Sequence, residues 1–157
     1  MTTETIYLVG QISIKAEETY SWRKRFIAYL TERGYVPDKI EIIDPCNTEW
    51  NQTILEAEYK TEPYLMKGAA LLPTKDYNYV RRSSVLVCNL NQYDTEKPIL
   101  GSFFEIAWGW EWKKTIIGIH DGDSNDILKK HPFVNQAVSI WVKNEQQAAR
   151  LIERFFV

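Results

Sequence analysis

Few residues in this chain have both the type and the setting for covalent chemistry. Glu105 is the plainest. It sits in Gly-Ser-Phe-Phe-Glu-Ile-Ala-Trp-Gly-Trp, the only charge in that stretch. The segment has helical spacing, opens at Gly101-Ser102, and follows a short apolar run and a polar loop. Glu105 is therefore expected in the first turn or so of a helix, just past the carboxyl end of a central strand. A carboxylate there either complements the helix dipole or faces a ligand. The large apolar neighbours argue for the ligand, because a purely capping Glu needs none. Asp76 is a second carboxylate, expected to begin a short helix over Lys75 to Arg82, where Asp is ordinarily a cap. Metal chemistry has little to work with. Cys46 and Cys88 are not in ligand spacing, and His120 and His131 are the only histidines. The run Asp121-Gly122-Asp123-Ser124-Asn125-Asp126 lacks the bidentate Glu of a calcium loop and reads as a solvated turn. No metal and no cofactor is expected.

The elements that must hold these residues alternate. Thr5 to Val9 reads as a buried strand ended by Gly10-Gln11, and a Gly there lets the backbone turn or approach a ligand. The spacing is not that of a dinucleotide fingerprint. Thr19 to Arg33 reads as a helix with Trp22, Phe26, Tyr29 and Leu30 on one stripe, stopped by Gly34. Lys39 to Ile43 is a second strand, stopped by Asp44-Pro45. The span 46–74 is the least legible, with one or two helices over Gln52 to Met66 broken near Pro63. Ser84 to Leu90, rich in β-branched residues, is a strand buried on both faces. Asn91 to Leu100 is the polar loop. Thr115 to Ile119 and Ser139 to Val142 complete the strands. Asn144 to Phe156 is a last helix, with Asn144 and Gln147 in capping-box positions and a stripe of Ala148, Leu151, Ile152, Phe155 and Phe156. Strands alternating with helices predict an α/β fold: a single-domain, flavodoxin-like doubly wound sheet of about five mainly parallel strands flanked by helices, over residues 1–157.

Composition narrows the function. The chain has 157 residues, 45% of them hydrophobic and 25% charged, with a net charge of -2. That balance lacks the footprint of a nucleic-acid-polymer binder. No apolar run is long enough for a membrane span, and the N-terminus has no signal-peptide pattern. A cytoplasmic setting with reduced thiols is expected. The unusual feature is aromatic: six Trp, nine Tyr and six Phe. Such a surplus fills a core, an oligomer interface or a stacking pocket for a flat ring.

Three segments together resemble a known family. They are Ile6-Tyr7-Leu8-Val9-Gly10 in the first strand, Asp76 to Arg82 before Val85-Leu86-Val87-Cys88-Asn89-Leu90, and Gly101-Ser102-Phe103-Phe104-Glu105-Ile106-Ala107. The pattern, which extends through His131-Pro132-Phe133-Val134 and the last helix, is similar to the nucleoside 2-deoxyribosyltransferases. The related nucleotide N-glycoside hydrolases share much of it. The resemblance implies an enzyme that exchanges nucleobases on 2'-deoxyribonucleosides through a covalent deoxyribosyl-glutamate. It assigns Glu105 as the nucleophile, Asp76 as the handler of the base's proton, and Tyr7 as hydrogen-bond partner of the nucleophile. A loop acid would contact the sugar hydroxyls. Asp94 is the candidate, although it lies farther from Glu105 than the pattern has it, with Ile99 at the nominal position. Gly10, Gln11, Trp22, Asn89, Gly101 and Ser102 are the further candidate substrate contacts. The family's shared sites imply a homo-oligomer, in which His131 and Phe133 would complete a neighbouring subunit's site. The expected partners are nucleosides and free nucleobases.

The chemistry suits the residue types. A carboxylate traps an oxocarbenium-like sugar, an incoming base inverts the centre again, and two inversions give retention. An ordinary Glu is already ionised at neutral pH. The leaving base needs a proton, so Asp76 must have its pKa raised by burial or by another carboxylate. Transferase and hydrolase differ in whether a base or water attacks the intermediate. Dry aromatic walls would favour a base, and Trp22, Trp108, Trp110, Tyr7 and Phe103 are candidates for them. A hydrolase of 5'-monophosphates would need a phosphate cradle. Arg23, Arg81 and Arg82 are available, but Gln11-Ile12-Ser13-Ile14-Lys15 is a poor cradle, so nucleosides are preferred. The alternatives are an N-glycoside hydrolase of deoxynucleosides or their monophosphates, and a non-catalytic nucleotide-binding module.

Overall fold

The computed structural model describes residues 3–47, 71–124 and 126–157. The helices expected over Gln52 to Met66 lie outside the described residues. Five strands form one sheet: β1 (Glu4–Gly10), β2 (Ile40–Ile43), β3 (Val85–Asn89), β4 (Thr115–Ile119) and β5 (Ile140–Val142). Their order is β2-β1-β3-β4-β5, and every pairing is parallel. This is the doubly wound arrangement expected from the alternation of elements. The chain winds outward from β1 to β2, then returns to place β3 on the other side of β1. The β1/β3 boundary is thus the switch point, where crossovers diverge and leave a crevice at the carboxyl ends of the strands.

Side chains alternate across each strand, so the sheet sorts them onto two faces. Ile6, Leu8, Val85, Val87, Ile117 and Ile119 face one core. There they meet Trp22, Phe26 and Leu30 of α1 (Glu18–Glu32) and Ala148 and Ile152 of α6 (Glu145–Phe156). Burying each such large apolar side chain stabilises the fold by about 1.5–3 kcal/mol. Tyr7, Val9, Leu86, Cys88 and Ile116 face the other core. They pack on Val80 of α2 (Leu72–Arg82) and Ile106 of α3 (Leu100–Glu111). Two short helices, α4 (Ile127–Lys130) and α5 (Pro132–Ala137), precede β5. The Asp126 carboxylate accepts from the Leu128 amide at 2.8 Å, so the Asp-rich turn serves as a helix cap.

Helix boundaries follow local chemistry. Gly34 has φ +71°, and its amide bonds Thr31 O, which ends α1 where the Gly was expected to end it. Asn144 accepts from the Gln147 amide at 3.0 Å, and Gln147 Oε1 accepts from the Lys143 amide at 2.9 Å, which sets the start of α6. Phe155 departs from the expected stripe: it is 67% exposed, while Ala149 is buried in its stead.

Two further departures matter for function. α2 begins at Leu72, with Pro73 in its first turn, the position Pro favours. Asp76 is therefore inside the helix and is not its cap. α3 begins at Leu100 and has no acidic residue in its first turn. Glu105 lies in the second turn, so the dipole-capping account of it fails. Both carboxylates are released from the bland roles their sequence positions suggested.

Candidate active site

Tyr7 is fully buried on the α2/α3 face of β1, and its hydroxyl donates to Glu105 Oε1 at 2.6 Å. Glu105 is 9% exposed. It lines a pocket of about 440 Å³ together with Asp76, Gly10, Gln11, Gly101 and Ser102. Gly101, Glu105 and Trp108 fall at i, i+4 and i+7, one face of α3. Phe104 and Trp108 give the pocket an aromatic side, and Lys97, Pro98 and Ile99 form the wall leading into α3. The site opens at the carboxyl end of β1, at the switch point.

Electrostatics follow from burial. Desolvation pushes the Glu105 carboxyl up to about 8. The Tyr7 hydrogen bond opposes this, the nearby Asp76 charge adds to it, and the Arg23 guanidinium opposes it. The Asp76 carboxyl is also raised by burial, against the pull of Lys75 and the Tyr7 hydroxyl. Burial, then the Glu105 charge, holds the Tyr7 phenol well above its usual value, so it stays a donor. Glu105 was expected to be ionised at neutral pH, and the buried site reverses that. Asp76 Oδ1 is buried without a hydrogen-bond partner among the described residues. An orphaned buried acceptor that borders a pocket is suited to a ligand N–H or to a proton of its own.

The crevice is braced from below by a buried cation. Arg23 is fully buried, with Nε 3.4 Å from Asp44 Oδ1. Its Nη2 donates to Gly10 O at 3.0 Å, and its Nη1 donates to Gln11 O at 3.3 Å and to Thr19 O. The Gly10 and Gln11 carbonyls lie at the carboxyl end of β1 and Thr19 lies in α1, so the guanidinium ties the strand end to the helix. Gly10 itself allows the close β1–β3 approach: a Cβ there would lie 3.1 Å from Asn89 O and 3.2 Å from the Trp22 ring.

The other candidate contacts divide. Trp22 is 1% exposed and belongs to the α1/α6 core, away from the pocket, so its buried aromatic is packing. Asn89 is spent on the following loop: Nδ2 donates to Tyr93 Oη at 3.1 Å and Oδ1 accepts from the Asn91 amide at 3.1 Å. Asp94 accepts from the Ser13 hydroxyl at 2.5 Å and from the Glu96 amide at 3.0 Å, and does not line the pocket. The Ser13 bond holds its carboxyl below the usual range. His131 and Phe133 lie at the α4/α5 junction with ring centroids 6.1 Å apart, both exposed and outside the pocket.

Of the expected wall residues, Trp108 lines the pocket, whereas Phe103 packs into the core and Trp110 is 57% exposed. Phe104 takes the place expected for Phe103, a shift of one residue that a helix converts into about 100°. Lys97 and Pro98 were missed, and Ile99, which stands at the nominal position of the loop acid, lines the pocket where Asp94 does not. The one signal for Lys97 and Pro98 was position, shortly before Gly101-Ser102. Among the described residues, no three His, Cys, Asp or Glu side chains converge as a metal site, and no helix is long and apolar enough to cross a membrane.

No family model matches the chain, and no curated protein matches it. Solved structures do. A 2-deoxyribosyltransferase from Leishmania mexicana superposes with a TM-score of 0.57 at 12% identity, covering 97% of this chain and 99% of that one. A CMP N-glycosidase from Clostridium botulinum superposes with a TM-score of 0.52 at 13% identity, covering 97% of this chain and 100% of that one. These likenesses establish a shared fold along nearly the full length of each chain.

Proposed function

We propose that the chain is an enzyme acting on the N-glycosidic bond of nucleosides, and specifically a nucleoside 2-deoxyribosyltransferase. One observation carries the reading: two carboxyl groups, the buried Glu105 and the half-buried Asp76, border the same pocket, with the Tyr7 hydroxyl on Glu105. A binding module for a neutral nucleoside has no use for a desolvated carboxyl pair. The two structural neighbours, one a deoxyribosyltransferase and one a CMP N-glycosidase, support the same bond as the target.

In the proposed reaction the Glu105 carboxylate attacks C1' of the deoxyribose. The C1'–N bond breaks, its electron pair leaves with the base, and the base takes a proton from Asp76. A second base then attacks C1' from the opposite face, the Glu105 ester bond breaks, and Asp76 recovers the proton. In the free site burial keeps a proton on Glu105, whose carboxyl is pushed up to about 8. The reactive arrangement moves that proton to Asp76, and Tyr7, which influences both carboxyls, lies on the route. Phe104, Trp108 and Ile99 offer a planar base an apolar setting that disfavours water. The subunits associate, and His131 and Phe133 belong to a subunit contact beside a neighbouring site.

The test is incubation with deoxyadenosine or deoxyinosine plus free cytosine or adenine, followed by chromatography, beside Glu105→Ala. A new deoxynucleoside with wild type and none with the variant is the expected result. Free base and deoxyribose alone would identify a hydrolase. That second reading is favoured by Lys97 on the pocket wall, a cation that can meet a 5'-phosphate. No reaction with nucleosides or monophosphates would sink both.

A further inference from the structure

The Gln11 side chain is 5% exposed, and its amide is saturated. Nε2 donates to Asp94 O at 2.8 Å and to Lys97 O at 2.6 Å. Oε1 accepts from the Tyr93 amide at 2.9 Å and from the Asp94 amide at 2.8 Å. A primary amide has two N–H donors and two acceptor lone pairs, so none is left for a ligand. All four bonds reach one turn about eighty residues away, as the 2.8 Å and 2.9 Å contacts at separations of 83 and 82 show. The turn gains further ties from neighbours of Gln11. Ser13 donates to Asp94 Oδ2 at 2.5 Å, and Lys15 pairs with Glu96 at 3.0 Å.

The residues next in the chain are Lys97, Pro98 and Ile99, which form the pocket wall before α3. Backbone that is not in a ladder must find partners elsewhere, and here Gln11 supplies the shorter bonds, with Gln92 Nε2 adding 3.3 Å contacts to the same two carbonyls. We propose that Gln11 is a positioning residue: its amide pins the 93–97 turn to the end of β1 and so sets the wall of Lys97, Pro98 and Ile99 against the ligand, with no side-chain hydrogen bond of its own to the ligand. The residue type is specified. A Glu at this position would set a carboxylate against the carbonyls of Asp94 and Lys97, and an Ala would take the partner from the Tyr93 and Asp94 amides and leave the two carbonyls only the longer 3.3 Å bonds from Gln92 Nε2.

The test has a structural arm and a kinetic arm, and only the kinetic arm rests on the proposed reaction. In Gln11→Ala, hydrogen exchange at the Tyr93 and Asp94 amides should accelerate about tenfold or more, with β3 amides still protected. Unchanged exchange at both amides would overturn the proposal. In deoxynucleoside turnover the same variant should raise KM about tenfold while kcat stays within about twofold. A collapse of kcat at unchanged KM would instead place Gln11 in the chemistry. Ser13→Ala should act in the same direction, and the double variant should fall short of the product of the two effects. Strict additivity would count against a shared turn. If Gln11→Ala does not fold, Gln11→Glu and Ser13→Ala carry both arms. If wild type turns over nothing, the proposed reaction fails, and the exchange arm still decides the role of Gln11.

Discussion

The Tyr7 hydroxyl meets Glu105 Oε1 at 2.6 Å across a separation of 98 residues, linking the central strand to the helix that follows β3. Donation to a carboxylate favours its charged form, and Tyr7 is the described group that most opposes the desolvation of Glu105. Tyr7→Phe keeps the ring in its core position and removes this donor. We expect kcat to fall about 10–100-fold, the worth of a hydrogen bond to a charged group. Thermal melting should show a folded protein. A variant with wild-type kcat would leave the hydroxyl without a part in the chemistry.

The pH dependence follows from the pair. With deoxyadenosine, one proton must remain on Glu105 or Asp76 to be passed to the base. Since Glu105 titrates near 8, kcat/KM should fall as pH rises through about 8. A 7-methylated purine deoxynucleoside carries a cationic base that leaves without that proton. For it, only ionised Glu105 is needed, and kcat/KM should rise through the same pH. Parallel profiles for the two substrates would contradict the shared-proton account.

Stability carries the opposite bookkeeping sign from an ordinary salt-bridged acid. The folded Glu105 value of about 8 lies above its usual 4.5, so the folded state binds the proton more tightly. The contribution is fully present below about 4.5 and is lost as pH rises through about 8. Glu105→Gln should therefore match wild type in acid and exceed it in melting temperature at alkaline pH, while being inactive. Equal melting temperatures across the range would mean that Glu105 is not desolvated.

Asp76→Asn removes a carboxyl whose Oδ1 has no partner among the described residues. Turnover of deoxyadenosine should drop about 100-fold or more, within the span of general acid catalysis. The 7-methylated purine substrate should lose far less. Melting temperature should hold or rise, a trade of activity against stability. Equal losses on both substrates would assign Asp76 to binding instead of proton delivery.

Gly10→Ala tests the close approach of β1 and β3. The added Cβ meets Asn89 O at 3.1 Å, and backbone cannot swing aside. A cost of about 1–3 kcal/mol is expected from denaturant unfolding, together with weaker substrate binding. No change in either would show that the strands yield.

The architecture was legible because its signals are periodic. β-Branched runs, the α1 stripe and the Gly34 stop each state their element locally. Glu105 was legible for a related reason: one charge among large apolar residues has few reasons to exist. What was hidden depended on partners far along the chain. Nothing local to Asp94 says that Ser13 takes its carboxylate, and nothing local to Gln11 says that a distant turn uses all of its amide. Trp22 read both as part of the α1 core stripe and as a candidate wall ring, because sequence cannot tell which face of the sheet α1 covers. The ionisation of Glu105 was misjudged because burial, which sets it, is a property of the assembled fold.

The strand order has a consequence for how this chain comes into being. β1 is made before β2 and β3, yet it lies between them, so its β3 side stays open until that later segment is made. Non-local parallel pairing of this kind folds slowly and leaves a sticky edge exposed meanwhile. Glu105 arrives later still, on the helix after β3. A stalled or clipped product ending before α3 thus lacks Glu105 while being prone to aggregate.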